Sequence, residues 1–217
     1  MTGSSEGIPR LHILLGEDRL TGRALPGSAR LYGLVRPLAL HVRASLPAAR
    51  LFAAAARLAE AAAGGWCVVN GRPDIALAAG AHAVQLGHAA LTVRDVGALR
   101  KGTDLRIGAS VHGPEEAVSA ARDGADFLVV GTMYETPSHP GRAGRGPAGL
   151  ARVAAALVAG GLGDVPLLGI GGVDAERIGS LIEAGAYGAV VGRAVWSAAD
   201  PGAAAVRIAA ALAAAGE

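Results

Sequence analysis

The sequence predicts a single (β/α)₈ barrel, and three observations carry that prediction. Short apolar runs alternate with Ala-rich helical patterns over nearly all of its 217 residues, the order expected of βα units around a parallel sheet. Eight such runs fit the length, and barrels of this kind close as one domain at this size. The competing doubly wound sheet would place Gly-x-Gly-x-x-Gly after its first strand, and no such segment follows Leu15.

Strands are expected at Leu11–Leu15, Ala39–Arg43, Trp66–Asn70, Ala83–Leu86, Arg106–Val111, Phe127–Gly131, Pro166–Ile170 and Gly188–Val191. Helical periodicity fills Pro47–Ala63, Pro73–Ala79, Val93–Leu99, Pro114–Asp123, Ala148–Ala159, Ala175–Ala184 and Ala203–Ala215. Pro114 suits a first helical turn and Asp174 an N-cap. Gly80, Gly124 and Gly185 stand where a helix commonly ends in a left-handed residue. Residues 19–37, broken by Gly22, Pro26, Gly27 and Pro37, leave room only for a short helix. One domain is expected over 1–217, with 1–10 a flexible start.

Composition narrows the function classes. The formal charge is +2 from 20 basic and 18 acidic residues, too balanced for a nucleic-acid footprint. No apolar run reaches the length of a membrane span. The first seven residues lack a basic region followed by an apolar core, so no signal peptide and a cytoplasmic location are expected. The one cysteine, Cys67, cannot form an intramolecular disulfide, which suits a reducing compartment. Lys101 is the single lysine and precedes a strand, on the face opposite the expected site, which argues against Schiff-base chemistry.

Catalytic groups in such barrels gather at the C-terminal ends of the strands. There the chain places His41, Arg43 and Ser45, then Asn70, Gln85 and His88, then Ser110 and His112, and finally Thr132, Glu135, Thr136, Ser138 and His139. Alternation puts His41 and Arg43 on one side of their strand. A buried Arg43 would need an anionic partner, either a ligand or Glu17 or Asp18. His139, in a Pro-Ser-His-Pro-Gly loop, has no core to satisfy and is the first candidate for proton transfer, followed by His112 and His41. His12 and His82 lie near strand starts, where a structural role is expected. No His or Cys spacing matches a metal site. Gly171-Gly172 and Gly192-Arg193 follow the seventh and eighth strands, the usual place of a phosphate site in these barrels.

Taken in order, His41-Val-Arg43, Val69-Asn70-Gly-Arg-Pro-Asp-Ile-Ala-Leu77, Val84-Gln85-Leu-Gly87, Ile107-Gly-Ala-Ser-Val-His112, Gly131-Thr-Met-Tyr-Glu-Thr-Pro137 and Gly169-Ile-Gly-Gly172 resemble the thiamine phosphate synthase superfamily, from about residue 11 to 195. The resemblance implies one of two activities. The synthase branch joins a pyrimidine pyrophosphate to a thiazole phosphate with Mg²⁺. The thiazole tautomerase branch aromatises a carboxylated thiazole phosphate by acid/base chemistry. Gly71 and Ala90 stand where the synthase pattern has metal-holding Asp residues, and Ser45 and His139 where it has Lys. These departures, with the Asn-Gly pair and the Glu-Thr of the sixth loop, resemble the tautomerase branch. Thr132 departs from that branch in turn, since its pattern has a His there.

The reading implied is a tautomerase-like isomerase with no metal and no cofactor, whose partner is a small phosphorylated thiazole. Arg43 would hold the carboxylate, and Gly171, Gly172, Gly192 and Arg193 the phosphate. Asn70, Gln85, Ser110, Thr132, Thr136 and Ser138 would complete the substrate site. A divergent synthase or a non-catalytic binder of thiamine intermediates are the alternatives. Pairing into a homodimer is common for barrels of this size.

Overall fold

The computed structural model describes residues 7–22, 24–87, 91–136, 141 and 144–216. Eight parallel strands close on themselves in sequence order: β1 (Leu11–Leu15), β2 (Leu38–Val42), β3 (Trp66–Asn70), β4 (Ala83–Leu86), β5 (Arg106–Val111), β6 (Phe127–Gly131), β7 (Leu167–Ile170) and β8 (Gly188–Val191). Closure is made where Leu11 pairs with Ala189 and Ile13 with Val191. The helices are α1 (Glu17–Leu20), α2 (Ala24–Ala29), α3 (Leu31–Leu34), α4 (Ala48–Ala61), α5 (Pro73–Ala78), α6 (Val93–Leu99), α7 (Pro114–Arg122), α8 (Gly146–Ala159), α9 (Ile178–Glu183), α10 (Arg193–Trp196) and α11 (Pro201–Ala214).

Alternation divides each strand between two cores. Leu11, Ile13 and Leu15 face the helices, with Leu40, Val69, Ile107 and Leu128 in the same outer layer. Ala39, Val68, Ala83, Phe127, Val129, Leu168 and Val190 fill the barrel interior. The inward layers are fitted to one large ring. A Cβ on Gly108 would lie 2.3 Å from the Phe127 ring, so glycine at that point of β5 makes room for a fully buried Phe127.

Three differences from the sequence expectation have local causes. Residues 17–34 form three short helices rather than one: Gly22, at φ 56°, follows the end of α1, while Pro26 and Gly27 lie inside α2, where the first turn tolerates proline. The expected flexible start does not extend through residue 10. Ile8 is buried in the interior cluster, Tyr187 Oη donates to its carbonyl at 2.7 Å, and Arg10 Nε donates to Tyr187 O at 2.9 Å. The pattern over Ala175–Ala184 opens as a 3₁₀ turn at Ala175–Arg177, whose N-cap Asp174 accepts from Arg177 N, before α9 begins.

Candidate active site

The C-terminal ends of the strands surround a cavity of about 690 Å³. Its floor is made by inward residues one layer above the apolar interior. His41 on β2 is 1% exposed, and its Nδ1 lies 3.1 Å from Asn70 Oδ1 at the end of β3. Its Nε2 lies 2.8 Å from Nδ1 of the fully buried His12, and His12 Nε2 reaches Pro9 O at 2.9 Å. Burial pushes the His41 imidazole down to about 4, outweighing the opposing pull of the Asn70 hydrogen bond. Burial, with the neighbouring His41, holds His12 well below the usual imidazole range. Gln85 on β4 donates through Nε2 to Ser110 Oγ on β5 at 3.0 Å, while its Oε1 is buried with no hydrogen-bond partner among the described residues.

The rim carries the charge. Arg43 lines the cavity but is exposed rather than buried, which corrects the expectation of an arginine inside the barrel. The chain turns out after Val42, and the last ladder contact is Arg43 N donating to Leu15 O. His112 stands just beyond β5, its backbone N donating to Glu116 Oε2 at 2.8 Å and its Nδ1 lying 3.3 Å from the same oxygen. Glu116, in the first turn of α7, thereby anchors the strand-to-helix corner. Thr132, Glu135 and the buried Thr136 line the sixth loop's side. Ser138 and His139, together with His88 and Ala90, lie outside the described residues.

The far wall is built from the turns after β7 and β8. Gly171 and Gly172 adopt φ of 101° and 66°, a conformation that favours glycine. A Cβ on Gly171 would come within 2.7 Å of Thr132 Cγ2, and one on Gly172 within 2.8 Å of Tyr134 Cβ. The two glycines therefore let the sixth and seventh loops pack against each other. Gly192 and Arg193 line the same wall. Arg177 does as well, and the sequence reading missed it. Its guanidinium lies over the Tyr134 ring at 4.5 Å, donates to Gly172 O and pairs with Asp174 at 3.7 Å. The available signal was its place three residues after the N-cap Asp174. Lys101 is exposed in the turn before β5, away from the cavity.

The chain is thus a (β/α)₈ barrel with a polar cavity at the strand ends and arginines on its rim. The chain belongs to the Thiamine monophosphate synthase (TMP-TENI) family, which matches residues 33–195. It is 46% identical over 147 residues to the thiamine-phosphate synthase of Mycobacterium tuberculosis (strain CDC 1551 / Oshkosh), a match covering 68% of this chain and 64% of that protein. With the thiamine-phosphate synthase of Thermus thermophilus it shares 42% identity over 133 residues, 61% of each. The matched region thus spans less than two-thirds of either relative. Among solved structures, a thiamine phosphate pyrophosphorylase from Pyrococcus furiosus superposes with a TM-score of 0.79 at 24% identity, covering 95% of this chain and 96% of that one. The 3-hexulose-6-phosphate synthase from Salmonella typhimurium superposes with a TM-score of 0.69 at 16% identity, covering 95% and 100%. These two likenesses establish the barrel alone.

Proposed function

We propose that this chain is an enzyme of thiamine biosynthesis that binds a phosphorylated thiazole and moves a proton on it. The Gly171–Gly172 and Gly192–Arg193 turns take the phosphate, because they bring close backbone approach and a cation to one wall. Arg43, on the rim beyond β2, two strands from β8, meets a ring carboxylate with its planar donor fork. The polar floor of Asn70, Gln85 and Ser110 orients the ring between them. Thr132 and Thr136 face the substrate from the sixth loop. Proton transfer falls to His139 first and His112 second, and general acid–base catalysis of this kind contributes about 10²–10⁴-fold.

The observation that carries the isomerase reading is the end of β3. Asn70 is followed by Gly71 at φ 71°, where the synthase pattern supplies a carboxylate. Mg²⁺ is held through carboxylate oxygens, and the second expected carboxylate is replaced by Ala90. Among the described residues no three His, Cys, Asp or Glu side chains gather as a metal site. These two positions therefore supply no carboxylate for Mg²⁺, and Ser45 and His139 stand in the sequence where that pattern has lysines.

A condensation that forms thiamine phosphate is the second reading, and the names of the relatives favour it over the isomerase. The two separate in one experiment. Carboxylated thiazole phosphate given to the purified protein in EDTA should aromatise, followed by its ultraviolet absorbance. Pyrimidine pyrophosphate with thiazole phosphate and Mg²⁺ should yield no thiamine phosphate. Condensation within tenfold of ordinary enzyme turnover, about 10 s⁻¹, would establish the synthase instead. Binding of either thiazole without turnover would mark a regulatory binder.

A further inference from the structure

His41 in the cavity floor and His12 beneath it form a chain of hydrogen bonds whose direction is fixed from its closed end. A carbonyl oxygen can only accept, so His12 Nε2, 2.9 Å from Pro9 O, carries a hydrogen. Both rings are buried, at 0% and 1% exposure. The groups against them are the Pro9 carbonyl, the Asn70 amide and the edge of the Phe127 ring, 5.4 Å from His12. None of these compensates a buried imidazolium, so both rings are neutral. With its hydrogen on Nε2, a neutral His12 has only a lone pair at Nδ1. The contact of 2.8 Å to His41 Nε2 therefore requires His41 to donate from Nε2. His41 is then left with a lone pair at Nδ1, and the atom set opposite it at 3.1 Å is Asn70 Oδ1. Two acceptors oppose each other there unless the amide is turned over, which exchanges two groups of nearly the same shape. The chain is satisfied only with the Asn70 NH₂ toward His41 and Oδ1 turned away, on a side chain that lines the cavity.

We propose that His12 and His41 are positioning residues that lock the Asn70 amide with its oxygen toward the cavity, so that the site selects a ligand presenting a hydrogen-bond donor there. Such a donor is an amino group, a hydroxyl or a protonated ring N–H. An isolated Asn turns either end outward at little cost, because its oxygen and NH₂ have nearly the same shape. Here the Pro9 carbonyl sets the choice through the two rings. The His41 lone pair is committed to Asn70, which removes His41 from proton transfer and gives it a bridging role instead. His12, which by sequence alone is structural, becomes part of the site's specificity.

The first test needs no substrate and stands apart from the proposed reaction. In protein labelled with ¹⁵N-histidine, two-bond ¹H–¹⁵N spectra at pH 7 should show both His12 and His41 as neutral Nε2–H tautomers. His41 as an Nδ1–H tautomer or an imidazolium would overturn the inference. The kinetic test rests on the isomerase reading and compares two variants. His41→Gln keeps one donor and one acceptor along the chain, whereas His41→Leu keeps neither. His41→Leu should raise KM about tenfold or more, and His41→Gln should recover most of that loss, with turnover within about tenfold of the unaltered enzyme. If His41→Gln instead slowed turnover by about 10²–10⁴-fold at unchanged KM, His41 would be an acid/base catalyst and the positioning role would end. Should neither substrate set turn over, the tautomer spectra still decide the inference.

Discussion

Arg43 stands on the rim of the cavity with its guanidinium in solvent, free to meet a carboxylate as the ligand enters. A hydrogen bond to a charged group contributes about 1.5–3 kcal/mol. Arg43→Ala should therefore weaken binding of carboxylated thiazole phosphate about ten- to a hundredfold, while binding of thiazole phosphate without the carboxylate changes little. Arg43→Lys should recover only part, since an ammonium cannot reproduce the fork. Isothermal titration with both ligands measures the difference, and equal losses for the two would remove Arg43 from the carboxylate. Cys67 is the opposite case, a buried thiol whose Sγ donates to Ala55 O at 3.5 Å. Burial pushes it up to about 12, so iodoacetamide at pH 8 should leave the folded protein unlabelled and modify one thiol per chain in denaturant. Alternation in the sequence exposes His41 and Asn70 as site residues because each lies at the end of a strand. It does not reveal the His12–His41 contact, which joins residues 29 apart and exists only once Leu14 is paired with His41 across β1 and β2. Arg177 was hidden for a related reason: it belongs to a helical pattern and reaches the cavity only through its stacking on Tyr134.

The strand-to-helix turns are where the sequence speaks most plainly and where two similar glycines differ. Gly171 and Gly192 both end apolar strands and both line the cavity. Gly171 has φ of 101°, and a Cβ there would lie 2.7 Å from Thr132 Cγ2 and 3.2 Å from Met133 N. A side chain at 171 must displace the sixth loop as well as any anion, so Gly171→Val tests folding and binding together. At Gly192 the nearest atom to an added Cβ is Leu14 Cβ at 3.9 Å, an ordinary contact. Gly192→Ala should therefore leave the melting temperature within about 2 °C while weakening inorganic phosphate about tenfold or more, read by titration against the unaltered protein. Gly171→Ala should lower the melting temperature by about 2–8 °C, from the left-handed cost of about 1–2 kcal/mol. Unchanged phosphate affinity in Gly192→Ala would move the anion off this wall. The glycines themselves were legible from their place after β7 and β8. The inequality between them was not, because it depends on how closely the sixth loop passes Gly171. The segment over 17–34 shows the converse: Gly22 marks the break after α1, but Pro26 and Gly27, which read as breaks in the sequence, lie inside α2.

At the scale of the whole barrel, the buried histidines tie the site to stability. Leu, Val and Phe fill most of the interior, and His12 and His41 are the polar groups set above that filling. His41 titrates near 4 when folded against an unfolded value of about 6.5. As pH falls through 6.5 the unfolded chain takes up a proton that folded His41 refuses until about 4. The unfolded state then binds more protons, so stability rises with pH across this window and is lost on acidification. His12 acts in the same direction, and so does the half-buried His82, held down by its burial. His41 alone should cost about 2 kcal/mol between pH 7 and pH 5, or about 4–8 °C in melting temperature for a chain of this size. The double variant His12→Phe, His41→Leu replaces the pair with apolar groups and should flatten the profile between pH 6.5 and 5, leaving the His82 share in place. Thermal melts at pH 7, 6.5, 6, 5.5 and 5 measure both slopes. A flat profile in the unaltered protein would mean that the pair is charged when folded. The Asn70 amide would then present its oxygen to His41, and the cavity would face its ligand with a donor instead of an acceptor.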